Sequence, residues 1–170
     1  LPLFAICATK GICNVWRDLY EQIEIEFTRM EKLVERYSET IEQVKKREPN
    51  AIETDALATF LHSMYSAMEN CLKRTRQAAM GELLSPGAWH ADLLTATTIG
   101  GPLPILSQQL TLRLRALMQF RHVFRHSYSF DLKWSKMAPL VLTVEQCFRD
   151  FQDEMRSFLV RQMRSCGEMQ

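Results

Sequence analysis

At 170 residues the chain can bury one core, and 46% hydrophobic with 24% charged residues excludes a disordered polymer. A net charge of +1 excludes a strong global field pulling the protein onto nucleic acid, so phosphate binding must come from local clusters. The cysteines Cys7, Cys13, Cys71, Cys147 and Cys166 form no Cys-x-x-Cys pair, which reads as reduced cytosolic thiols rather than disulfides or a zinc site.

Residues 1–15 carry little information. Their apolar run is broken by Lys10 and lacks a basic leader, so neither a signal peptide nor a membrane span is expected. Residues 16–165 read as a single helical domain. From Trp16 to Glu48, apolar residues such as Ile23, Phe27, Met30 and Val34 recur in alternating steps of four and three. That spacing predicts one long amphipathic helix with a narrow seam, stopped by Pro49.

Asn50 with Glu53 three residues on predicts a capping box opening a second helix, closed by Gly81. Its apolar face runs from Leu57 through Met64 to Leu72. Ser85-Pro86 predicts the start of a short helix through Trp89 and Leu93, and Thr95 to Pro104 reads as a loop. Ser107 caps the next helix, which carries Leu110, Leu114, Leu117 and Phe120 toward Arg121. After Trp134 a last helix repeats the seam from Met137 to Phe158, with Pro139 near its beginning, where a missing amide is tolerated. No strand pattern is visible. The fold expected is all-α: an up-and-down bundle of four main helices plus one short one. The strict seams on the first and last helices allow two readings, a bundle core or a stripe shared with a two-fold partner.

The densest chemistry is Arg121-His122-Val123-Phe124-Arg125-His126-Ser127-Tyr128. Four readings compete. A basic helix end in solvent suits the helix dipole. His122 and His126 share a face at zinc-ligand spacing, but Arg121 and Arg125 would repel a cation, so no metal is expected. Arginine forks on Arg121 and Arg125 match phosphate oxygens. Finally, His126 can move a proton near neutral pH while Arg121 stabilises a transition state, the requirements of RNA cleavage without a metal. On a regular helix these two side chains point about 140° apart, from 3.6 residues per turn. Either the helix distorts at its end, or two subunits share the groove.

The order Arg121, polar His122, three residues, His126, one residue, Tyr128 resembles the Arg-x4-His-x-Tyr motif of HEPN-domain ribonucleases, in particular the HepT-like toxin family. Phe60 to Glu69, Ala88-Trp89-His90 and Phe124 to Leu132 with Trp134 are similar to members of that family, and the resemblance spans about residues 17–162. It implies a HEPN-like bundle that forms a homodimer with two motifs lining one cleft. It implies a cytoplasmic, metal-independent endoribonuclease that cleaves single-stranded RNA and needs no cofactor, acting as the toxin of a toxin–antitoxin pair. The partner implied is a minimal nucleotidyltransferase antitoxin that transfers AMP to the motif tyrosine. Residue by residue, the resemblance makes Arg121 and His126 the catalytic pair, His122 the polar companion and Tyr128 the modification acceptor. Arg125 is a second guanidinium for phosphate. The sequence has no Gly-Ser turn followed by an Asp-x-Asp pair, so the transferase is expected on a separate chain.

Outside the motif, Glu69 interrupts an apolar face. It reads as a buried carboxylate paired with an arginine, or as the group orienting Arg121 or His126. Lys73, Arg74, Arg76, Arg113 and Arg115 read either as exposed helix charges or as a track for an RNA backbone. His62 and His90 are assigned to structure, and Trp16, Trp89 and Trp134 to packing. The rival functions are a non-catalytic HEPN module that binds a nucleotide or a protein, and a purely structural helical dimer.

Overall fold

A computed structural model of the chain describes residues 10–81, 89–126 and 132–167. The described residues form five helices: α1 (Lys10–Val44), α2 (Ala51–Met80), α3 (Trp89–Thr97), α4 (Gln108–His126) and α5 (Trp134–Gly167). The seam predicted for α1 is buried at Ile23, Phe27, Met30, Ile41 and Val44. The helix starts earlier than expected and stops earlier too. Beyond Val44 there is no apolar residue left to bury, and Lys45 to Arg47 form a turn in which Arg47 N–H donates to Gln43 O at 3.2 Å.

Local chemistry fixes both ends of α2. The extended Asn50 accepts from the Glu53 amide at 2.9 Å, while Asn50 N–H donates to the Glu53 carboxylate at 2.8 Å. Arg47 reaches across from the preceding turn to the same carboxylate. At the other end Gly81 takes φ 66° and its N–H donates to Gln77 O, the left-handed cap that glycine adopts without a Cβ penalty.

Residue pairs give the helix directions. Tyr37 stacks on Phe60, Trp16 meets Phe158 and Phe27 meets Phe148, while Arg113 pairs with Asp150. With Glu26 against Arg74 and Ser107 against Glu154 as second contacts, sequence numbers run in opposite senses across α1/α2, α1/α5 and α4/α5, so these pairs are antiparallel, the up-and-down order expected. Apolar faces of all four long helices close on one core, with Tyr65, Phe27, Phe60 and Phe151 among its largest sealed side chains. The seams of α1 and α5 therefore pack against each other inside this chain. Most of both stripes is thereby covered within the chain, while Val34 and Tyr37 of the α1 seam stay half-buried.

The segment expected as a loop from Thr95 to Pro104 begins later. α3 continues to Thr97, whose buried hydroxyl donates to Leu93 O at 2.8 Å. A parallel bridge, Thr98 to Leu106, then ties the loop back. Gly101 permits this closure, since a Cβ there would lie 2.6 Å from Thr95 O. Ser107 caps α4 as predicted, its hydroxyl accepting from Leu110 N–H at 3.2 Å. The Ser85-Pro86 helix start lies outside the described residues. Among the described residues, no helix is long and apolar enough to cross a membrane.

Candidate functional site between α2 and α4

Four of the titratable residues on α2, His62, Tyr65, Glu69 and Lys73, fall in steps of three and four that place them on one side of the helix. That side meets α4 at Arg121, Phe124 and Arg125, which are spaced three and four apart and so share a face of their own helix. The centre is Glu69, with only 1% of its side chain exposed. Its carboxylate lies 3.6 Å from Arg121 Nη1 and 3.4 Å from Lys73 Nζ. A buried carboxylate is tolerable only with such partners.

The guanidinium of Arg121 also lies over the Tyr65 ring, 5.9 Å from its centroid. Burial first, then the charge of Glu69, holds the Tyr65 phenol well above its ordinary range. Its hydroxyl makes no well-formed hydrogen bond among the described residues, yet Glu69 is close enough to act on it. Tyr65 is thus a neutral wall of the site, and Arg121 is fixed from two sides.

One turn earlier on α2, His62 is half-buried against Phe124, with ring centroids 5.2 Å apart. Burial lowers its proton affinity most, and the charges of Arg121 and Arg125 lower it further against an upward pull from Glu69. His62 was assigned to structure from the sequence; the structure sets it in the group around Arg121. The available signal was its place on a single stripe with Tyr65 and Glu69.

The two motif histidines face elsewhere. His122 and His126 are exposed, their rings 4.9 Å apart. Arg125 keeps to the Arg121 side of α4 but is exposed at its edge. α4 stays helical through His126, so of the two ways to unite Arg121 with His126, distortion of the helix is not seen among the described residues. Within one chain these two side chains remain on different faces. Tyr128 lies outside the described residues.

The basic residues proposed as an RNA track do not line up. Arg74 reaches Glu26 of α1 at 3.8 Å, Arg113 pairs with Asp150 of α5, and Arg115 donates to the Thr95 hydroxyl at 3.1 Å. They serve three different sides of the bundle. Trp16 packs in the core as expected. The side chains of Trp89 and His90 lie outside the described residues.

An antiparallel helical bundle whose fourth helix ends in Arg-x4-His defines an all-α protein of HEPN type. The family model for HepT-like proteins matches residues 56–162, more than half the chain, and the protein belongs to the HepT-like family. None of the curated proteins or solved structures matches it.

Proposed function

We infer that this protein is a metal-independent endoribonuclease, the toxin of a toxin–antitoxin pair, cutting single-stranded RNA through attack by the ribose 2′-hydroxyl. The observation that carries this reading is the guanidinium of Arg121, held by buried Glu69 beside the imidazole of His62. A preset positive charge is what a pentavalent phosphorane-like transition state needs, because no reorganisation remains at the moment of reaction. Membership in a family generally associated with nucleases supports the same conclusion.

In this mechanism the 2′-oxygen attacks phosphorus, the bond to the 5′-oxygen breaks, and a 2′,3′-cyclic phosphate remains. His126 exchanges protons with the reacting oxygens and Arg121 offsets the added negative charge. Because the two side chains leave α4 on different faces, a second copy of the chain brings His126 to the other copy's Arg121. Leu112 and Val123 lie exposed on the side of α4 that also carries His122 and His126, an apolar patch that a second copy can cover. A separate nucleotidyltransferase partner would silence the enzyme by adding AMP to Tyr128, placing bulk and negative charge where RNA phosphate must sit.

The test is cleavage of single-stranded RNA in EDTA. Arg121→Ala and His126→Ala should each lower the rate by about 10²-fold or more, the usual scale for losing a transition-state donor or a proton-transfer group. Circular dichroism should show the helices retained. Cleavage that survives both substitutions rejects the assignment.

One observation favours the rival, a non-catalytic nucleotide-binding module. A guanidinium already facing a carboxylate has less net charge to offer a transition state. Such a module would bind AMP in an Arg121-dependent manner and leave RNA intact.

A further inference from the structure

Cleavage by 2′-hydroxyl attack needs one group to accept a proton and another to return one. The motif supplies His126 and its neighbour His122, both on the outward side of α4, whereas Arg121 points inward to α2. The imidazole that shares Arg121's side is His62. It lies against Phe124, and Phe124 stands three residues from Arg121 on the same face of α4.

We propose that His62 is the general base of the cleft, taking the 2′-hydroxyl proton beside Arg121 while His126 of the second copy acts as the acid. The proposal rests on the ribonuclease reading above. It names a residue outside the Arg-x4-His motif, on a different helix, as the proton acceptor.

Three features of the site fit that role. His62 Nδ1 is sealed from solvent and has no hydrogen-bond partner among the described residues, while the ring as a whole is only half-buried. Nε2 is therefore the nitrogen open to a substrate, and the base uses the tautomer with its lone pair there. Phe124 fixes the ring from one side, so the imidazole is presented rather than free to rotate. The charged groups acting on the ring are Arg121 and Arg125 from α4 and Glu69 from α2 itself. Burial and the two arginines keep the imidazole neutral at neutral pH against the upward pull of Glu69, and neutral is the form a base requires.

The step balances without another reactant. The 2′-hydroxyl proton passes to His62 Nε2 as the 2′-oxygen bonds to phosphorus. The phosphorus bond to the 5′-oxygen breaks, and that oxygen takes a proton from protonated His126. Arg121 remains charged throughout and faces the phosphoryl oxygens.

The experiment is the pH–rate profile for cleavage of single-stranded RNA in EDTA, using wild type, His62→Gln and Arg125→Gln. His62→Gln should lower kcat by roughly 10²- to 10⁴-fold with KM little changed, the usual span for a general base. It should also abolish the limb on which activity rises with pH. Arg125→Gln removes one of the charges opposing protonation, so that limb should move to higher pH. A His62→Gln enzyme with the wild-type rate and the same rising limb overturns the role of His62 and leaves the ribonuclease reading standing. Wild-type protein that does not cut RNA overturns both. Should His62→Gln fail to fold, nuclear magnetic resonance titration of the wild-type histidines decides. A His62 ring titrating below the ordinary 6.5 and moving up in Arg125→Gln supports the proposal. Titration at or above 6.5 overturns it.

Discussion

Glu69 and Arg121 face each other across the α2–α4 contact at 3.6 Å, the carboxylate almost completely buried and the guanidinium mostly so. Lys73 completes a three-member charge group from the next turn of α2. Glu69→Gln keeps the shape of the side chain and removes its charge, leaving two cations side by side at the edge of the core. Removing one partner of a buried ion pair costs about 3–5 kcal/mol, so a loss approaching that size is expected in urea unfolding. RNA cleavage should fall as well, because Arg121 loses its anchor. Unchanged unfolding and unchanged cleavage would show that the pair neither stabilises the fold nor positions the arginine.

The truncation Phe27→Ala tests the core on which that pair depends. Phe27 is 1% exposed and meets both Phe148 and Phe151 edge to face, with ring centroids 6.0 and 6.1 Å apart. Removing the ring deletes those contacts and leaves a cavity between α1 and α5, which costs about 3–5 kcal/mol. A shift of less than roughly 1 kcal/mol in the urea-unfolding free energy would mean that α1 and α5 do not pack as described.

These helices differ in how far their sequence announced them. α2 was legible at both ends because Asn50, Glu53 and Gly81 act through contacts only a few residues long. The end of α1 was less so. Charged residues continue past Val44 with good helix propensity, while in the structure the chain has already turned and Arg47 links to Glu53. α3 overran its expected end because Thr97 satisfies its hydroxyl within the helix and is buried there, which its polar character does not suggest. In the site, Arg121 and His126 stand out through local spacing. His62 does not, since its relevance depends on which side of α2 meets α4, a tertiary fact. Read with Tyr65 and Glu69 as one stripe, it would have been visible.

Acid should weaken the α1–α2 turn in a defined window. Arg47 first, then the Asn50 amide, lowers the Glu53 carboxyl from 4.5 to about 2. A depressed carboxyl contributes stability above its unfolded value and loses it as pH falls through the folded value. The stability advantage of wild type over Glu53→Gln should therefore be steady at neutral pH and shrink between 4.5 and about 2. Unfolding midpoints followed down the pH scale check this. An advantage that persists below about 2 points to the capping geometry rather than to the charge.

His62 should act on stability with the same sign as that carboxyl but around a higher pH. Its folded proton affinity is depressed, chiefly by burial and then by Arg121 and Arg125. As pH falls below the ordinary 6.5, the unfolded chain takes up the proton first, and the folded state loses ground until its own lower value is passed. The stabilising contribution is thus fully present above 6.5 and declines below it. His62→Leu has no imidazole to protonate, so its unfolding free energy should fall less than that of wild type on acidification across this range. The comparison needs only urea titrations above and below 6.5 for both proteins. Parallel pH dependences would mean that the ring is solvated and ordinary. Such an imidazole would be mostly protonated at mildly acidic pH, and the neutral base required beside Arg121 would be missing there.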